Sequence, residues 1–213
     1  MKQRKFNWLK LKENFSIIAE IMAIEIEAKL KLARRSCGGL ARRPGGVGSH
    51  KQVIEKLRKL GAEFVSEQIQ KDFYFDDENG SLTGADKCLR LRRQQTGNNE
   101  KVFLTYKGAR EKAKYKRREE VNVEVNDADA VEKLLSGIGF KKALTVEKKR
   151  SVWRLGGCEV GLDSVALLGD FVEIEGPSEE KIADVQKKLG LSDLPHIAES
   201  YAAMVREKIG RRK

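Results

Sequence analysis

This chain has little of what most active sites are built from. Its two histidines, His50 and His196, leave almost no material for imidazole chemistry, and each suits a surface or helix-terminal position. The three cysteines, Cys37, Cys88 and Cys158, lie far apart with no paired spacing. That pattern argues against a disulfide scaffold or a zinc site and suits a reduced, cytoplasmic protein. No apolar run approaches the length of a membrane span. Aromatic residues make up 7% of the chain, few for a surface that stacks nucleic-acid bases. Neither a Walker pattern nor a G-x-G-x-x-G occurs, although residues 33–50 (ARRSCGGLARRPGGVGSH) are rich in glycine and arginine. That stretch reads as a basic, solvated insertion.

Charge is what the sequence has in quantity. Charged residues form 35% of the 213 and hydrophobic residues 40%, with a net charge of +11. The apolar residues stay periodic, so the composition does not read as disorder. Residues 1–50 hold 11 basic against 4 acidic residues, a net +7, which leaves +4 for the other 163. Residues 1–21 therefore form a basic N-terminal extension. Their acids Glu13 and Glu20 and single Ser16 are unlike a transit peptide. Met22 directly abuts the first strand, so an upstream start assigned in error is one reading and a loose extension another. The remainder, 22–210, reads as a single domain.

Along the chain the charges alternate with apolar residues at the period of a β-strand. Glu25, Glu27 and Lys29 share one face of a strand, and Ile24, Ile26, Ala28 and Leu30 share the other. Arg90 and Arg92 oppose Leu89 and Leu91, and Phe103, Thr105 and Lys107 oppose Val102, Leu104 and Tyr106. Arg118, Glu120, Asn122 and Glu124 oppose Val121, Val123 and Val125. Asp163, Glu173 and Glu175 repeat the theme against Val160, Leu162, Val172 and Ile174. One such strand usually means a wet sheet face. Its return in strand after strand predicts a sheet whose polar face lines a highly charged object.

Helix signals fall between these strands. Ser49 predicts a cap for a helix carrying Val53, Ile54, Leu57 and Leu60 and stopped by Gly61. Asp127 predicts a second helix, Ser178 a third that ends at Gly190, and a last helix starts at about 197. Strands are expected near 62–76, 87–94, 101–108, 115–125, 143–154, 158–164 and 169–176. The fold class is α+β: an eight-stranded, largely antiparallel β-barrel with flanking helices over its apolar outer faces. A closed barrel has no free edge, so a homodimer would have to form through helices or loops.

The inward set then contains seven acids (Glu25, Glu27, Glu120, Glu124, Asp163, Glu173, Glu175). It also contains seven bases (Lys29, Arg90, Arg92, Lys107, Arg118, Lys148, Arg150). Enclosed ions on that scale must be hydrated, paired or liganded. Carboxylates clustered without histidine or cysteine are hard oxygen ligands for Mg²⁺ or Mn²⁺, and convergent Arg and Lys suit phosphate oxygens. Together they describe a pocket for a metal-bound polyphosphate. A non-catalytic module that binds RNA or another polyanion is the alternative of a different class.

In order, these segments resemble the CYTH superfamily, the triphosphate tunnel metalloenzymes, and most closely its class IV adenylate cyclase branch. The resemblance rests on Glu25-x-Glu27-x-Lys29, Arg90-x-Arg92, Leu104-Thr105-Tyr106-Lys107-Gly108, Arg118 with Glu120, and Lys148-x-Arg150. Gly161-Leu162-Asp163, the run from Gly169 to Glu175, and Ser200-Tyr201 complete it. It implies a tunnel in which Lys29, Arg90, Arg92, Lys107, Arg118, Lys148 and Arg150 hold a triphosphate. Glu25, Glu27, Asp163, Glu173 and Glu175 would place Mg²⁺ or Mn²⁺, with Glu120 and Glu124 in support and Glu25, Glu27 and Lys29 as the catalytic signature. The implied substrate is ATP, cyclised to cyclic AMP and pyrophosphate, or an inorganic or thiamine triphosphate hydrolysed to orthophosphate. The His-Phe pair that precedes the signature in the family's cyclases is absent from Ile18–Ile24, which keeps both reactions open.

Overall fold

The computed structural model describes residues 23–32 and 48–211. The N-terminal extension and most of the 33–50 insertion, with Cys37, lie outside the described residues.

Eight strands close into one antiparallel barrel in the order β1-β5-β4-β3-β2-β6-β7-β8. They are β1 (Ala23–Lys31), β2 (Glu63–Asp76), β3 (Cys88–Thr96), β4 (Asn99–Lys107), β5 (Lys116–Val125), β6 (Lys141–Leu155), β7 (Cys158–Val165) and β8 (Gly169–Glu175). The signature strand β1 is the closing element. It pairs Glu25 with Arg118 of β5 on one side and Lys29 with Glu173 of β8 on the other. Two strands some 150 residues apart in sequence thereby join, and the acids at the chain's ends meet the bases of its middle.

The described helices are α1 (His50–Lys59), α2 (Ser81–Gly84), α3 (Ala128–Gly137), α4 (Glu179–Leu189) and α5 (Tyr201–Gly210). Their caps follow the sequence signals. Ser49 accepts from the Gln52 N–H, Asp127 from Asp129 and Ala130, and Ser178 from Lys181. Gly190 ends α4 with φ +67, a left-handed turn that glycine adopts without steric cost. The short α2 has no periodic apolar signal. Asp76 builds it by accepting from the backbone N–H groups of Leu82 and Thr83, both at 2.9 Å.

Helices α1 and α4 cover the outer faces of β1, β7 and β8, burying Val53, Leu57, Ile182, Val185 and Leu189 against Ala28, Leu30, Val172 and Ile174. Helix α3 covers Phe75, Leu91 and Val102 on the opposite side. Helix α5 departs from expectation twice. It starts at Tyr201, because the preceding segment is held along β1: the Ile197 N–H donates to the Lys29 carbonyl at 2.8 Å, and His196 bridges Leu30. It also packs on the inside. Val146, Val165 and Phe171 share strand faces with Lys148, Asp163 and Glu173, and they are buried together with Tyr201 and Val205. An apolar plug thus fills one end of the barrel.

Candidate active site

Above that plug the barrel encloses a cavity of about 350 Å³. The strand alternation dictates its lining. β1 supplies Glu25, Glu27 and Lys29, β3 supplies Arg90 and Arg92, and β4 supplies Lys107. Arg118 and Glu120 come from β5, Lys148 and Arg150 from β6, and Glu173 and Glu175 from β8. A barrel of this size ordinarily fills its interior with apolar side chains. Here the interior is ionic, so partners must be found for each ion.

Near the plug the pairing is dense. Asp163 is fully buried, and its carboxylate accepts from Lys148 Nζ (3.0 Å), Arg150 Nε (2.6 Å) and the Tyr201 hydroxyl (2.9 Å). Gly161 makes room for this, since a Cβ there would come within 3.1 Å of the Arg150 guanidinium. Arg150 also reaches Glu173, which is paired with Lys29 at 3.3 Å. Asp72 grips Arg92 with two parallel bonds of 2.6 and 2.8 Å, the fork geometry that fixes a guanidinium most firmly. Although burial pushes the Asp72 carboxyl up, Arg92 and Arg90 overcome it and hold the group well below the usual carboxylate range. Lys148 is moved the other way: burial, with Arg150 beside it, pulls its ammonium down from 10.5 to about 8.

Towards the open end the pattern changes. Lys107 Nζ contacts both Glu25 oxygens and Glu120, each at 2.7 Å, and these acids overcome burial to push the lysine up to about 12. Lys116 Nζ reaches Glu27 at 2.5 Å, and together with Lys29 it overcomes burial to hold that carboxyl well below its ordinary range. Glu175 has no cation partner among the described residues. It lies opposite Glu27 on β1 and opposite Glu159 on β7. Its side chain is open to solvent at the mouth, yet the surrounding barrel atoms and the like charges of Glu25 and Glu120 push its carboxyl up to about 8.

The structure thus brings together most of the expected residues and relocates two. Asp163 lies beneath the cavity lining with its oxygens filled by Lys148, Arg150 and Tyr201, where it supports cations. Glu124, one inward position beyond Asn122, is exposed and pairs with Lys101 at 3.0 Å, outside the lining. Several lining residues escaped the sequence reading, Lys116, Asp72 and Gln70 among them. Lys116 keeps the alternation of Arg118 and Glu120 and was legible in principle. Asp72 and Gln70 were not, because β2 carries polar residues on both faces (QIQKDFYFD) and its inward side does not stand out.

The cavity can hold a triphosphate. Arg90 Nε and Arg118 Nε are buried without hydrogen-bond partners among the described residues, and both belong to lining residues. Buried guanidinium donors left unpaired are costly, and phosphate oxygens are the acceptors that match them. Arg118 is itself positioned by Asp86, whose carbonyl accepts from Nη2 at 3.2 Å.

Oxygen donors of the kind a divalent metal takes stand at the mouth. Glu25, Glu27 and Glu175 offer hard oxygen donors, and a cation would supply the counter-charge that Glu175 lacks. Among the described residues no three such ligands yet converge on one point, because Glu25 and Glu27 are paired with Lys107 and Lys116.

The comparisons agree with this architecture. The CYTH domain family matches residues 42–201. The chain belongs to the CYTH family. CYTH triphosphate tunnel metalloenzymes act on triphosphates and depend on a metal. A Methanocaldococcus jannaschii protein named as a candidate adenylate cyclase is 30% identical over 165 residues, covering 78% of this chain and 81% of its own. Among solved structures, a Pyrococcus horikoshii protein superposes with a TM-score of 0.69 at 29% identity, covering 86% of this chain and 99% of that one. A Hippeastrum protein, described as a candidate adenylyl cyclase with a dominant triphosphatase activity, shares the fold at 19% identity and a TM-score of 0.63, covering 86% and 96%. No helix among the described residues of this CYTH protein is long and apolar enough to cross a membrane.

Proposed function

We propose that this CYTH protein is a metal-dependent enzyme that draws the triphosphate of ATP into its barrel and cyclises it to cyclic AMP and pyrophosphate. The observation that carries the triphosphate reading is the convergence of Arg90, Arg92, Lys107, Arg118, Lys148 and Arg150 on one enclosed cavity, two of them with unpaired buried donors. The segment resemblance and the name of the Methanocaldococcus relative support cyclisation.

In that reaction the ribose 3′-oxygen attacks the α-phosphorus. The bond from that phosphorus to the β-phosphate oxygen breaks, and the 3′-hydroxyl proton leaves to solvent. The chain's own part is electrostatic. Arginines held rigid by Asp72 and Asp163 grip phosphate oxygens without reorganising, and the lysines neutralise charge that accumulates on the leaving pyrophosphate. Glu25, Glu27 and Glu175 would hold the metal, which when bound neutralises phosphate oxygens and fixes their orientation. Lys29 lies between Glu27 and Glu173, 4.4 Å from the Tyr201 ring centroid, where it positions the acid that serves the metal end.

A second reading is hydrolysis of a triphosphate to orthophosphate. It is favoured by the activity ascribed to the Hippeastrum neighbour and by the lining itself. Among the described residues the lining's two aromatics, Tyr74 and Tyr201, both pack into the plug end, away from where a base would stack.

The test is a product assay on the full chain with ATP, tripolyphosphate and thiamine triphosphate offered separately with Mg²⁺ or Mn²⁺. Cyclic AMP with pyrophosphate, lost in the Glu25→Gln, Glu27→Gln double variant, is the expected result. Each removed charge should cost about 2–4 kcal/mol of transition-state stabilisation. Orthophosphate without cyclic product would transfer the protein to the triphosphatases. No turnover of any of the three would overturn the enzyme reading in favour of polyanion binding.

A further inference from the structure

Facing the acids across the open end of the barrel is a patch of neutral amides that the triphosphate reading leaves unused. On β2 and β3, Gln70 stands opposite Gln94, with Gln68 one inward position further out, and Asn122 of β5 joins them in the lining. These positions lie midway along β2 and towards the ends of β3 and β5, beyond Arg92 and Glu120 and away from the α5 plug.

Gln70 is the central member. It is 1% exposed, and its Nε2 donates to Gln68 Oε1 at 2.6 Å and to Gln94 Oε1 at 2.9 Å. Both of its amide protons are thereby committed. Its Oε1 is left buried with no partner among the described residues. An orphaned buried acceptor is rare in a folded protein and marks a place where something is missing. Lys148, opposite Gln70 in register on β6, is occupied by Asp163.

Phosphate does not complete this group. An ionised triphosphate offers acceptors only, so an amide oxygen gains nothing from it. A donor carried by the part of the substrate that emerges from the cation ring towards the mouth would complete it. We propose that the Gln68–Gln70–Gln94 wall is the subsite for the organic group of the substrate, and that Gln70 Oε1 accepts an N–H from an amino-bearing base such as adenine. Amide side chains pair well with the amino edge of adenine, whereas a carbonyl at the same ring position would set two acceptors face to face. This inference rests on the triphosphate reading and assigns its base specificity; it holds for either reaction at phosphorus.

The experiment is a competition binding titration of the full chain with ATP, ITP and tripolyphosphate. ITP differs from ATP by exchange of the amino group for a carbonyl. ATP is expected to bind about tenfold more tightly than ITP, the scale of one well-made hydrogen bond. The near-isosteric Gln70→Met variant should bring the ATP:ITP ratio to about one and weaken ATP more than tripolyphosphate. Equal binding of ATP and ITP by the wild-type chain would overturn the inference, whether or not the variant folds. So would a Gln70→Met variant that keeps the preference. Failure of all three ligands to bind would instead overturn the triphosphate reading beneath it.

Discussion

The acids at the two ends of the barrel have the same chemistry and opposite circumstances. At the plug end, Asp72 and Asp163 are buried, each bonded to cations in fixed geometry, and Asp163 also takes the Tyr201 hydroxyl. At the mouth, Glu175 faces Glu27 and Glu159 across its neighbouring strands and has no cation of its own among the described residues. The first arrangement holds arginines in place before any ligand arrives, which is how an enzyme avoids reorganising charge during reaction. The second is incomplete without a counter-ion. One end of the cavity is cross-braced by ion pairs and the other leaves a carboxylate without a cation among the described residues, although both are written in the same alternating pattern.

Breaking the braced end should have the largest effect. Asp163→Asn removes the charge that compensates Lys148 and Arg150 in a buried site, and loss of one partner there should cost about 3–5 kcal/mol in urea unfolding. Glu175→Gln should do the reverse in metal-free protein, raising the melting temperature by relieving like-charge crowding. It should also abolish the rise in melting temperature on adding Mn²⁺. A Glu175→Gln variant that still gains stability from the metal would remove Glu175 from the metal position.

The two ends also differ in pH response. Glu175 carries a folded pKa of about 8 against an ordinary 4.5. The folded state therefore binds more protons between those values, and stability falls as pH rises through that window. Lys148 is depressed to about 8 from 10.5, so the unfolded state binds more protons above 8 and stability rises again. Melting temperatures of metal-free protein should pass through a minimum near pH 8. Glu175→Gln should flatten its acid side and Lys148→Met its alkaline side. A monotonic profile across pH 5–10 would contradict both assignments.

The smallest effect is expected outside the cavity. Glu124→Gln removes an exposed pair with Lys101 and should change stability by less than about 0.5 kcal/mol, with turnover unaltered. A marked loss of activity would return Glu124 to the cavity.

Much of this was legible in the sequence because a barrel wall obeys a period of two. Once Glu25-x-Glu27-x-Lys29 and Arg90-x-Arg92 are read as strand faces, their convergence follows from closing the sheet. Three features were hidden for physical reasons. β2 is polar on both faces, which concealed Asp72 and Gln70. The α5 plug reuses the inward positions of Phe171 and Val165 for apolar packing, so alternation alone could not say where the ionic lining stops. Asp163 keeps the inward parity of a ligand, but only its three bonds reveal that it supports Lys148 and Arg150.

The most direct test of the central claim is a crystal of the full chain soaked with tripolyphosphate. The three phosphates should lie in line inside the barrel, with oxygens on Arg90 Nε and Arg118 Nε and within reach of Lys148 and Arg150. Phosphates bound only on the basic outer surface, with those two donors still unpartnered, would contradict it.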